Sequence, residues 1–151
     1  MSRPVVVGFD GSPASTAALE HAIADAAGAG DRLVVVVVTE VPVDAGGPMT
    51  FGTLGDGPVA ILPQVEPPEA KQLFEAARER IDAAGVEADY VWEAGEPAGA
   101  ILREAGDRGA RAIVVGKGHH SRLGRWLGTD IAHEIERAAG CEVVLVEPDA
   151  G

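Results

Sequence analysis

Five short apolar runs punctuate the chain, and a stretch of helical periodicity separates each from the next. The runs are residues 5–10, 33–39, 89–92, 113–115 and 143–146, and several are continuously apolar, as in strands covered on both faces. In the first helical stretch Ser12 stands as N-cap and Pro13 at the first helical position, followed by Leu19, Ala22, Ile23 and Ala26 at i, i+3, i+4 and i+7. Leu73, Ala76, Ala77, Ile81 and Ala84 mark a second helix, Ala98, Ile101, Leu102 and Ala105 a third, and Ile131, Ile135, Ala138 and Ala139 a fourth. Strands alternating with helices require right-handed crossovers. The prediction is an α/β chain with a single doubly wound, Rossmann-like domain, a five-stranded mostly parallel sheet and helices on both faces. Ligands then bind beyond the carboxyl ends of the strands, where the winding reverses. Asp10 and Gly116 both lie at such ends, and they face one crevice if strands one and four are neighbours.

Composition narrows the class further. With 151 residues, 46% hydrophobic but only 4% aromatic, the core must be built from Val, Ile, Leu and Ala, and one domain over residues 1–151 is expected. Residues 40–69 interrupt it with Gly and Pro, and read as a flexible insertion or a lid carrying Met49, Phe51 and Leu54. The longest apolar run, residues 33–38, is far short of the roughly 20 residues of a membrane span. The first residues lack the apolar segment of a signal peptide, so no membrane association and a cytoplasmic location are expected. A lone cysteine, Cys141, leaves no intrachain disulfide or cysteine-based zinc cluster, and is expected as a small apolar residue at a strand start. A net charge of -12 argues against nucleic acid as a partner.

Against that acidic background, residues 108–129 contain Arg108, Arg111, Lys117, Arg122 and Arg125 and no acid. They connect an apolar strand to a helix through a loop punctuated by Gly116, Gly118, Gly124 and Gly128. A helix start carries unpaired N–H groups and partial positive charge, so the loop is a candidate anion seat. Lys117 and Arg125 are candidate phosphate contacts. Thr129 reads as a helix N-cap whose hydroxyl can also face a phosphate. His21, His119, His120 and His133 have no carboxylate or cysteine at ligand spacing; no metal site is expected, and one histidine is expected to line the pocket. The chain has neither a G-x-S-x-G elbow nor a Walker A lysine, so no catalytic residue is assigned. Asp10 holding Mg²⁺ beside a triphosphate would support at most slow hydrolysis.

The segments VVVGFDGS (5–12), AALEHA (17–22), GEPA (95–98), the run 113–129 and the run 141–146 together resemble the universal stress protein family in order and spacing. The resemblance covers nearly the whole chain apart from residues 40–69. It implies the strand order 3-2-1-4-5. Nucleotide-binding members carry G-x2-G-x9-G-(S/T), with an aspartate after the first strand and backbone near the end of the second receiving the adenosine. By resemblance Asp10 takes the aspartate role, Val38 the adenine backbone contact, and Gly128-Thr129 the phosphate end. Gly118 and Gly128 keep nine intervening residues, but one residue instead of two separates Gly116 from Gly118, leaving the loop a residue short. The implied function is a stress-response signalling homodimer, paired through the edge strand at residues 142–146, that binds ATP or a related adenine nucleotide, with Mg²⁺ accompanying it. The shortened loop keeps a second reading open: a member that holds no nucleotide and acts as a protein-interaction module through its acidic surface and residues 40–69.

Overall fold

The computed structural model describes residues 3–39, 50–53, 58–60, 66–117 and 129–147. Their elements run β1 (Val5–Gly8), α1 (Pro13–Ala29), β2 (Leu33–Thr39), β3 (Thr50–Thr53), β4 (Pro58–Ala60), α2 (Pro68–Ala84), β5 (Ala88–Ala94), α3 (Pro97–Arg108), β6 (Ala112–Gly116), α4 (Thr129–Ala138) and β7 (Glu142–Val146). Five strands form one parallel sheet in the order β5-β2-β1-β6-β7, which is 3-2-1-4-5 when only its own strands are counted. Strands one and four of that sheet, β1 and β6, are therefore neighbours, in the register Val7 opposite Val114. Residues 40–69 are not purely a connection: β3 and β4 pair antiparallel within them, and α2 already begins at Pro68.

Each strand presents alternate side chains to opposite faces, and both faces are covered. Val5, Val7, Phe9, Leu33, Val35 and Val37 meet α1 and α2 through Leu19, Ile23, Phe74 and Ile81. Val6, Val34, Val36, Val38, Ile113 and Val115 meet α3 and α4 through Ile101 and Ile135. A fully buried aliphatic side chain of this kind stabilises by roughly 1.5–3 kcal/mol, which explains why the strands are valine runs rather than alternating patterns. Local chemistry sets the ends of α1. The Ser15 N–H donates to the Ser12 hydroxyl at 3.1 Å, Pro13 follows the cap, and Gly30 at φ 71° closes the helix.

At the amino ends of the strands, the two arginines nearest the start of the basic run are neutralised. Arg108 binds Asp89 at 3.2 Å and Glu104 at 3.0 Å, while Arg111 binds Asp31 at 2.5 Å and Asp25 at 3.3 Å. Both sit at the pole opposite Asp10 and Gly116, so the expectation of one continuous positive field over residues 108–129 fails for them. Their neighbours in space are acids from α1, the turn after it, β5 and α3, most of them far away in sequence. Arg32 adds contacts to Asp89 at 3.0 Å and Glu87 at 2.8 Å, and Arg103 pairs with Glu93. These ion pairs place charge along β5, an edge strand, where it discourages pairing with foreign strands.

Gly116 ends β6 against the first turn of α1. A Cβ there would stand 2.5 Å from the Ala14 carbonyl carbon and 2.6 Å from its oxygen. Gly116→Ala should cost about 1–3 kcal/mol, the scale of overpacking a tight contact, and urea unfolding would read it as a lower midpoint at unchanged slope. An unchanged midpoint would show that the contact yields freely.

The hydrogen bond from Arg32, partly opposed by desolvation, holds the Asp89 carboxyl below its ordinary 3.8. A depressed carboxylate contributes stability that is complete above the unfolded-state value and disappears as pH falls through the folded-state value. Arg32→Met should therefore lower the urea midpoint at pH 7, by an amount kept small by exposure, and the difference should begin to shrink near pH 3.8 and vanish only once pH has fallen past the lower folded-state value. A difference constant with pH would assign the loss to packing.

Candidate functional site

The central strand of the sheet is shorter than the two beside it. β1 stops at Gly8, whereas β2 runs on to Thr39 and β6 to Gly116, leaving a notch over the carboxyl end of β1. The last bond between β1 and β2 is from the Phe9 N–H to the Val36 carbonyl at 3.0 Å. Backbone direction alternates along a strand, so Val38 is the next residue of β2 whose N–H and C=O face β1. The rung that would continue the ladder, Val38 N–H to Phe9 C=O, is not among the bonds of the described residues. Val38 thus offers one donor and one acceptor to the notch, while its side chain stays buried among the α3 and α4 contacts.

Asp10 forms the floor. The Ser12 N–H donates to its Oδ1 at 2.9 Å, and its own N–H donates to the Ser15 hydroxyl at 3.1 Å. That hydroxyl donates in turn to the Ser12 carbonyl at 3.2 Å, tying the carboxylate to the first turn of α1. Gly11 at φ 82° makes the intervening turn possible. Asp10 is 5% exposed, yet its Oδ2 has no hydrogen-bond partner among the described residues. A buried carboxylate oxygen without a donor or cation is costly, and such a group marks a place built to meet one.

Asp10, Val38 and Gly116 are therefore brought together, on the adjacent ends of β1, β2 and β6. Gly116 has a packing reason of its own, the close approach of Ala14, which the sequence did not disclose. Lys117 follows it, its N–H donating to the Val146 carbonyl at 2.7 Å and its side chain half-buried. Thr129 is the first residue of α4, one position inside the N-cap place expected for it from sequence. Gly118, Arg125 and Gly128 lie outside the described residues, as do His119 and His120. Sequence reasoning passed over Ser15, which orients Asp10; its spacing of three from the cap was the available clue. It also passed over the bond from the Trp92 indole to the Thr39 hydroxyl at 2.9 Å, whose partners are 53 residues apart.

Two grooves of about 630 and 510 Å³ open at the opposite pole, beside Arg32 and Asp89 and beside Leu102 and Cys141. Neither touches Asp10, Val38 or Gly116. The carboxylates of the first already hold arginines, and burial pushes the Cys141 thiol up, making it a poorer nucleophile. Of the two buried side-chain atoms without a hydrogen-bond partner among the described residues, Arg111 Nη2 lies at this opposite pole with Asp25 Oδ1 3.3 Å away, and Asp10 Oδ2 lies at the notch with no cation beside it among those residues.

Comparison with known proteins places the fold and the family. The model of the universal stress protein family matches residues 1–147. The universal stress protein YxiE of Bacillus subtilis (strain 168) is 32% identical over 78 residues, which is 52% of this chain and 53% of that protein, so the match spans about half of the relative's length. A crystal structure from the same family in Burkholderia pseudomallei superposes with a TM-score of 0.64 at 25% identity, covering 97% of this chain and 96% of that one. The universal stress protein of Archaeoglobus fulgidus in complex with dAMP superposes at 0.63 with 23% identity, covering 95% and 97%. The chain belongs to the universal stress protein family.

Proposed function

We propose that this protein binds an adenine nucleotide in the notch above β1, and that occupancy rather than turnover is its function. The observation that carries the proposal is a pair of needs that no described residue meets, side by side: the N–H and C=O of Val38, and the Oδ2 of buried Asp10. Adenine presents an acceptor ring nitrogen next to a donor amino group, which complements a backbone N–H and C=O. A ribose hydroxyl is a donor suited to Asp10. The dAMP complex of the Archaeoglobus fulgidus relative supports the ligand class. Phosphates would extend over Gly116 toward Gly118, Arg125, Gly128 and Thr129. With ATP as the ligand, Mg²⁺ fits the same chemistry, since Asp10 has a hard oxygen without a partner among the described residues, of the kind such an ion takes, and the ion would offset triphosphate charge.

Titration calorimetry of protein stripped of bound nucleotide, with AMP and with Mg-ATP, tests the reading. Saturable binding is expected, weakened roughly tenfold or more in Asp10→Ala by loss of a charge-assisted hydrogen bond. No heat and no thermal shift with either ligand would overturn it and favour the interaction-module reading.

The assembly we propose is a stress-signalling homodimer in the cytoplasm, paired through residues 142–146. Among the described residues no helix is long and apolar enough to cross a membrane. In β7 the Val146 carbonyl faces β6, so by alternation the backbones of Val143 and Leu145 face outward, on a strand whose side chains are half-exposed from Val143 to Val146. Hydrogen exchange should show the Val143 and Leu145 amides as protected as Val144 and Val146 in the dimer. Rapid exchange at Val143 and Leu145 alone, with a monomer mass in solution, would rule out this pairing.

A further inference from the structure

We propose that Thr39 and Trp92 form a positioning clamp that holds the backbone edge of Val38 in the orientation a base requires; the inference rests on the nucleotide reading above. Val38 is the penultimate residue of β2, beyond the last support from β1. Among the described residues β5 holds this end of the strand, through the ladder that pairs Val37, Val38 and Thr39 with Trp92, Glu93 and Ala94. Two further bonds converge on Thr39 at its limit: the Gly95 N–H donates to the Thr39 carbonyl at 2.9 Å, and the Trp92 Nε1–H donates to the Thr39 hydroxyl at 2.9 Å.

Both donors are themselves fixed. Gly95 sits at φ 128°, a conformation that favours glycine, just past the end of β5. Trp92 packs its ring against the α1 and α2 side of the core, and a partly buried indole N–H needs the acceptor that Thr39 supplies. Because backbone direction alternates, fixing Thr39 toward β5 compels Val38 to face the notch. A frayed end would present the same two groups in many directions, and a ligand would have to order them at a cost in affinity.

Neither Thr39 nor Trp92 needs to touch the nucleotide for this to work. Their role is read through Val38, and the tests separate it from a merely structural one. AMP titrations, amide exchange and urea unfolding would be measured for Trp92→Phe, Thr39→Val and Thr39→Ser. The first two should each weaken AMP binding about five- to tenfold, the worth of one ordinary hydrogen bond. They should also speed exchange of the Gly95 amide while Val35 and Val37 stay protected, and Thr39→Ser, which keeps the hydroxyl, should restore both values. Faster Gly95 exchange with unchanged AMP affinity would overturn the clamp, as would uniform acceleration of all core amides in step with a falling urea midpoint. Absence of AMP binding to the unsubstituted protein would instead overturn the nucleotide reading, and the clamp with it.

Discussion

The central strand stops three residues before its neighbour β2, and much of the functional architecture depends on that difference in length. β1 is the central strand of the sheet, its Val5, Val6 and Val7 fully buried, and it sits between β2 and β6. Once it leaves the sheet at Gly8, one more bond, from the Phe9 N–H to the Val36 carbonyl, reaches β2, and β2 then runs on to Thr39 with no further bond to the first strand among the described residues. A parallel sheet can leave such backbone groups unmet only where something else meets them. The notch is thus a consequence of sheet geometry, and the chemistry at its floor follows from how the chain turns out of β1 into α1.

That turn is economical in residues. Asp10, Ser12 and Ser15 exchange four hydrogen bonds among backbone and side chains within six positions. The same serine that caps α1 also orients the aspartate, so the helix start and the carboxylate cannot move independently. Gly116 on the far side approaches Ala14 of the same helix turn closely enough that no side chain fits. The α1 N-terminus is consequently held from both β1 and β6, and the polar floor is rigid before any ligand arrives. Preorganisation of this kind is what lets a few contacts discriminate among ligands.

Much of this was legible in the linear chain, for identifiable reasons. Continuous valine runs predicted strands buried on both faces, and Ser12-Pro13 with Leu19, Ala22, Ile23 and Ala26 predicted α1, because these patterns depend only on local periodicity. Asp10 could be located because it follows a strand and precedes a cap. What was not legible depended on pairing across distance. Arg108 and Arg111 looked like part of a basic loop until β5 and α1 brought Asp89, Asp25 and Asp31 to them. The β3–β4 pairing within residues 40–69 has too short a pattern to announce itself among glycines and prolines. The grip of β5 on Thr39 needs the register that sets Val37 opposite Trp92, which no local pattern contains.

The central claim is that the Val38 edge receives a base. Amide ¹H–¹⁵N spectra of the labelled protein, recorded with increasing AMP, test it most directly. The account predicts that the Val38 amide, without an acceptor among the described residues, shifts downfield with saturation and gains protection from exchange, while the Val36 amide, bonded within the β1–β2 ladder, stays in place. Saturable AMP binding that leaves the Val38 amide unmoved would contradict it and locate the nucleotide elsewhere on the protein.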